Sequence, residues 1–90
     1  MILGKVVGTV WATRKDEDLV GMKFQIVKHV DLNFKVKDTF IVAVDTVQAG
    51  VGDVVLVTSG SSARQTAVTK NKPVDAVIIA VVDKLDVEES

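Results

Sequence analysis

The stretch Ile2-Leu3-Gly4-Lys5-Val6-Val7-Gly8-Thr9-Val10 decides how the rest of this chain is read. Ile2, Gly4, Val6, Gly8, Val10 and Ala12 recur at every second position, while Lys5, Thr9 and Thr13 fall between them. A two-residue period places the small and apolar side chains on one face of an extended strand. Gly4 and Gly8 on that face suit a sharply coiled strand, where one backbone approaches another. The same alternation recurs downstream. Met22, Phe24, Ile26 and Val30 alternate with Lys23, Gln25 and His29, and Phe40, Val42 and Val44 alternate with Thr39 and Asp45. Val54 to Thr58 is a short apolar run, and Val74 to Val82 is apolar on both faces. There are 20 valines among the 90 residues, and β-branched side chains favour pleated surfaces over helices.

Turn chemistry separates these five segments. Arg14 to Gly21 is charged and ends in Gly, Asp31 to Asp38 is polar around Asn33, and Gln48 to Asp53 is Gly-rich. Lys70 to Pro73 is a polar turn in which Pro73 disfavours helical backbone at Lys72. Ser61 to Val68 differs: Ser61 or Ser62 can cap a short helix that continues through Ala63, Arg64 and Gln65. Five short strands cannot hide their edges in a flat sheet, and closure removes those edges. The expected architecture is all-β: one domain over residues 1–90, a small five-stranded barrel of the oligonucleotide-binding (OB) type. It carries one short helix between strands four and five.

Composition narrows the function. Eleven basic residues balance twelve acidic ones, so nothing favours a phosphate backbone. With no Cys there is neither a disulfide framework nor a thiolate metal site. The longest apolar run, Ala76 to Val82, falls far short of the ~20 residues that cross a bilayer. The first residues lack the basic and apolar regions of a signal peptide. The expectation is a cytoplasmic protein with no cofactor, no metal and no membrane or nucleic-acid partner.

Catalytic patterns are scarce. His29 is the lone histidine, on an outward strand position, and it pairs with Ser61 or Ser62 only by long-range coincidence. Asp16-Glu17-Asp18 lacks the Gly and distal Glu of a calcium loop. Gly50-Val51-Gly52 leads into a strand, not the helix a dinucleotide fingerprint opens. Gly60-Ser61-Ser62 reads as an anion nest or, more simply, as plain capping. Of the four aromatics, Phe24 and Phe40 fall on inward faces; Trp11 and Phe34 are too few for a base-stacking platform.

Two features stand out. Val54 to Ala63 is an uncharged run joined to the small-residue loop Ala49 to Gly52, and it permits close backbone approach. The fifth strand carries Ala76, Ile78, Ala80 and Val82 on its expected outward face, a row that a neighbouring subunit would bury. Arg64, one of only two arginines, follows the uncharged run; Asp45, Asp75 and Asp83 are its candidate carboxylate partners.

At these segments the chain resembles the pentameric vertex proteins of bacterial microcompartments, the carboxysome and ethanolamine-utilisation shell group. The resemblance rests on Gly4-Lys5-Val6-Val7-Gly8-Thr9-Val10-Trp11-Ala12-Thr13-Arg14-Lys15 and on Ala43-Val44-Asp45-Thr46-Val47 with Ala49-Gly50-Val51-Gly52-Asp53. It continues through Ser59-Gly60-Ser61-Ser62-Ala63-Arg64 and Pro73-Val74-Asp75-Ala76 to Val81-Val82-Asp83. Gln48 stands where the family usually has Gly, and Asp53 where Glu is common. The resemblance implies a non-catalytic homopentamer that closes the five-fold vertices of a polyhedral shell built mainly of hexamers. A single-stranded nucleic-acid-binding module is the alternative that the barrel type supports. In a ring, Gln48, Ala49, Gly50, Val51, Gly52 and Asp53, with Gly60, Ser61 and Ser62, are the candidate lining of the five-fold axis. Arg64, Asp45, Asp75, Asp83, Ala76, Ile78, Ala80 and Val82 are the candidate subunit contacts.

Overall fold

A computed structural model describes residues 1–88. The chain forms β1 (Ile2–Val10), β2 (Phe24–Val30), β3 (Val36–Asp45), β4 (Val54–Ser59) and β5 (Ala76–Val81). They close into a barrel in the order β1-β2-β3-β5-β4. The ladders are antiparallel except for a short parallel pairing of Val44 and Asp45 in β3 with Val77 and Ile78 in β5. β1 makes closure possible by serving two neighbours. Gly4 pairs with Val55 of β4 and also with His29 of β2. A Cβ on Gly4 would run into Val27 Cγ1 and stand 2.8 Å from the Lys28 carbonyl oxygen, so only glycine fits.

The interior is formed by Val6, Val27, Ala43, Ala49, Val55, Val57, Ala76 and Ile78, with Ile2, Ile41 and Val47 packed against them. Removing a valine-sized side chain from water contributes roughly 1.5–3 kcal/mol. The alternation expected along β2 and β3 is present, but its phase is reversed. Gln25 and Val27 point inward on β2, and Ile41 and Ala43 on β3. Phe24, Ile26, Phe40, Val42 and Val44 therefore lie outside, and Phe40 is 59% exposed. Because the side-chain period is two, a shift of one residue exchanges every side chain between faces. Both faces of these strands are apolar, so composition does not select the inward one.

A bulge at Val7 intervenes in β1, where Val6 opposes Val27 and Gly8 opposes Ile26. Gly8 thus turns to the outer surface beside Ile26, not inward as the uninterrupted pattern predicts. β5 needs the same correction. Val57 pairs with Ile78 and Leu56 with Ala80, which leaves Ile79 as the extra residue of a bulge. Ala76 and Ile78 are buried in the barrel, so their side chains are not on the outward row assigned to them; Ala80 is on it.

A second apolar cluster covers part of the outside. Val44, Ala63, Val74 and Val77 are buried there, with Leu19, Met22, Phe24 and Ile79 against them. The covering segment contains a 3-10 helix, Gly60–Gln65, where a short helix is expected. Its cap position is Ser59, which makes no side-chain capping bond, so neither Ser61 nor Ser62 caps it. Fully buried Thr69 holds the segment together, donating its hydroxyl to the Ala63 carbonyl at 2.6 Å, while its amide donates to Thr66 Oγ1 at 3.1 Å.

Candidate functional site

The loop from Gln48 to Asp53 is held at both ends. Gln48 and Gly52 have positive φ, 60° and 98°, which reverses the chain in a short span. The Asp53 carboxylate accepts the Gly50 amide at 2.8 Å, and the Asp53 amide donates to the Gly50 carbonyl at 3.0 Å. Gly52 donates to the Val6 carbonyl at 2.8 Å, and Val6 donates to that of Asp53 at 2.9 Å. These bonds fasten the loop to β1 just before its bulge.

Its other end is fastened from inside the barrel. Gln25 is only 1% exposed, an amide among valines. Its Nε2 donates to the Ala49 carbonyl at 2.9 Å and to Asp45 Oδ2 at 3.2 Å, while Oε1 accepts from the Thr9 hydroxyl at 2.8 Å. Asp45 Oδ1 in turn accepts the Val47 amide at 2.9 Å. A buried polar group with its partners in place fixes one arrangement of the chain around it. Ala49 is consequently buried, whereas Gly50, Val51 and Gly52 stand in the open.

Gly60, Ser61 and Ser62 are also exposed, and Gly60 has a φ of 65°. They sit at the opposite end of β4 from the 48–53 loop, a strand length of about 20 Å away. The two groups can border one opening only if β4 runs along it.

Arg64 Nη1 donates to the Val74 carbonyl at 3.3 Å, tying the 3-10 helix to the approach to β5. It borders an open hollow with Asp16, Asp18, Asn71, Lys72 and Pro73. None of its expected carboxylate partners meets it within the chain. Asp45 is engaged by Gln25 and Val47, and Asp75 and Asp83 are exposed. The ion pairs among the described residues are Lys72 with Asp18 at 3.7 Å and Lys84 with Asp86 at 3.5 Å, both on the surface and each worth little. His29 Nδ1 lies 2.8 Å from the Thr39 hydroxyl across the β2–β3 ribbon. Among the described residues, no three His, Asp or Glu side chains converge as metal ligands.

Two outward apolar faces were not expected from the sequence, apart from Ala80, which the sequence places on an outward row. On β2 and β3, Ile26 faces Val42 and Lys28 faces Phe40, continuing the row of Phe24 and Val44 beyond the covering segment. Val42 is 43% exposed. On the other side of the barrel, Leu3, Leu56 and Ala80 form a half-buried outer row across β1, β4 and β5. The first row follows once Gln25 is inward, since Phe24 and Ile26 must then lie outward. Its phase, however, depends on pairings distant in sequence.

A family model described as "Ethanolamine utilisation protein EutN/carboxysome" matches residues 1–83. The microcompartment shell vertex protein GrpN of Rhodospirillum rubrum is 41% identical, over 96% of this chain and 97% of that protein. The carboxysome shell vertex protein CcmL of Synechococcus elongatus is also 41% identical, over 98% of this chain and 89% of its own. The structure of Gloeobacter violaceus CcmL matches with a TM-score of 0.93 at 39% identity, covering 98% of this chain and 91% of that one. The structure of GrpN, described as a pentameric microcompartment shell protein, matches with a TM-score of 0.89 at 40% identity, covering 98% and 100% of the two chains. The same strands, the same closure and these matches over nearly the whole length lead to one conclusion: the chain belongs to the ethanolamine utilisation EutN/carboxysome family of microcompartment shell proteins.

Proposed function

We propose that this chain is a structural shell subunit whose five copies form a ring, and that the ring closes the five-fold vertices of a bacterial microcompartment in the cytoplasm. The observation that carries the reading is the match over the whole chain to the pentameric shell protein GrpN, at 40% identity and a TM-score of 0.89. The function is geometric and non-catalytic. Six-fold units tile a plane, and a polyhedral shell needs five-fold units where the plane must bend. Hexameric shell proteins are the partners this implies.

A rigid barrel suits such a role because curvature must come from a fixed angle between subunits, not from a pliable chain. The 48–53 loop fits the axis of such a ring. It is small, it is fastened at both ends, and its exposed Gly50 and Gly52 allow five copies to converge. The nucleic-acid alternative draws no support from the relatives, which are named as shell vertex proteins.

Native mass spectrometry tests the reading. The expected mass is about five times the 9.7 kDa chain, one heterologous contact repeated until it closes. Omitting the protein from a reconstituted shell should leave open or elongated particles. A chain that remains monomeric at working concentration, or shells that close without it, refutes the proposal.

A further inference from the structure

We propose that the ring contact pairs the two outward apolar faces with each other: the β2–β3 face of one copy, Ile26, Val42 and Phe40, seats on the β1–β4–β5 row of the next copy, Leu3, Leu56 and Ala80. This inference rests on the pentamer reading and adds where its contact lies.

The first step is that the chain covers one part of its outer surface and stops. Phe24 and Val44 are roofed by residues of the 60–75 segment and by Leu19 and Met22. The next residues of the same row, Ile26 with Val42 and then Phe40, continue without that roof, and Val42 and Phe40 are 43% and 59% exposed. Gly8 opposite Ile26 adds no side chain, so the row is flanked by a flat backbone surface. A contiguous apolar strip of this kind on a small protein marks a contact surface.

The second step is symmetry. A closed ring requires two different surfaces on every copy, because its contact is heterologous; a single self-complementary surface gives a dimer. The barrel supplies a second apolar row on its other three strands, β1, β4 and β5, set off from the first on the β1–β2 side by the outward pair Lys5 and Lys28. Leu3 opposes Leu56, and Leu56 opposes Ala80, all three directed outward because Gly4, Val55, Val57 and Ile78 point in. The Ile79 bulge brings Ala80 into this row; an unbroken strand would have turned it to the other face. The occupant of each row is therefore a second copy of this chain, as the pentameric state of the solved relative GrpN requires of some pair of surfaces.

The chain contains no cysteine, so thiols can be introduced on a silent background. The Val42→Cys/Leu56→Cys double variant, treated with a short bis-maleimide, should give a covalent ladder on a denaturing gel that ends at five chains. Each single variant should give no ladder. Separately, Val42→Asp and Leu56→Asp should each reduce the native mass from five chains to one while the circular dichroism of the barrel is retained. Phe40→Ser and Ala80→Glu repeat the experiment on each face should an aspartate variant fail to fold. A five-chain mass that survives the aspartate substitutions, an uncrosslinked double variant, or single-cysteine variants that link into pairs overturns this contact. If the unsubstituted chain is itself not five-fold, the pentamer reading fails, and that failure is seen before any variant is made.

Discussion

Replacing Gln25 with leucine is the most direct probe of how the barrel positions its loop. Leucine is close to glutamine in size, so the substitution leaves little cavity and isolates the polar contribution. It removes the bonds to the Ala49 carbonyl, Asp45 Oδ2 and the Thr9 hydroxyl. Thr9 and Asp45 are half-buried and can turn toward water, but the Ala49 carbonyl belongs to a residue that is 1% exposed. A net loss of about 0.5–1 kcal/mol for each of the Thr9 and Asp45 bonds, with about 1–3 kcal/mol for the stranded Ala49 carbonyl, gives roughly 2–5 kcal/mol in all. For a chain of this size each kcal/mol moves Tm by about 4–8 °C, so a fall of at least roughly 8 °C is expected. Circular dichroism at one fixed protein concentration gives Tm, since assembly makes it concentration-dependent. Hydrogen exchange at the Val47 and Gly52 amides reports the loop itself. Gln25→Glu adds a sign test. A buried carboxyl facing the Ala49 carbonyl and Asp45 has its folded pKa raised, so the variant is most stable relative to the parent at acid pH. That relative stability is lost as pH rises past the ordinary carboxylate value. A Gln25→Leu protein with unchanged Tm and unchanged protection over residues 45–53 would refute the reasoning.

The remaining expectations test other places. Gly50→Leu is the clean test of a crowded axis, because a Cβ there meets only Asp53 Oδ2 at 3.8 Å within one chain; the monomer fold should be kept and the five-chain mass lost, and a normal ring removes this loop from the axis. Gly52→Leu is less clean, since its φ of 98° strains any side chain before a neighbour is met. Arg64→Ala should weaken assembly more than Arg14→Ala in a dilution series, since Arg64 ties the covering segment to Val74; equal, negligible effects would make Arg64 an ordinary surface residue. The amides of Lys35 and then Asn33 hold the Asp31 carboxyl below the usual carboxylate range. With the folded value lowered, the β2–β3 turn is ordered above the ordinary value and loosens as pH falls through the lowered one. NMR titration should place the Asp31 midpoint below that of an aspartate in a short unstructured peptide, and a midpoint at or above that reference would contradict the turn geometry.

What could be read from the residues and what could not divide along physical lines. The number of strands, their positions and their closure were legible because β-branched content and a two-residue period are local properties. The inward face of β2 and β3 was not, because Phe24, Ile26, Phe40 and Val42 are as apolar as Val27, Ile41 and Ala43. The deciding term is the pairing of Gln25 with Thr9 and Asp45, which lie far away in sequence. The bulges at Val7 and Ile79 were equally hidden, since an extra residue in a strand carries no signature of its own among valines and isoleucines. The loop was more legible than the contact faces. Gly-rich composition announces a tight reversal, whereas an outer apolar row shows itself only once the inner one is known.

The high apolar content of this chain follows from the same geometry. A closed five-stranded barrel has a narrow interior, here filled mostly by valine and alanine, so the inward positions alone cannot account for 48% hydrophobic residues. The second share lies on the outside of β3 and β5 under the 60–75 segment, a roof that the chain supplies for itself. The third share is what that roof does not reach: Ile26, Val42 and Phe40 on one side, Leu3, Leu56 and Ala80 on the other. Extending the roof would bury the first row but leave a monomer with nothing to offer a neighbour. Making the rows polar would leave a small barrel dependent on its thin interior alone. Two uncovered rows on different sides of a rigid barrel resolve both requirements in one contact, because the surface that stabilises each copy is also the surface that sets the angle between copies.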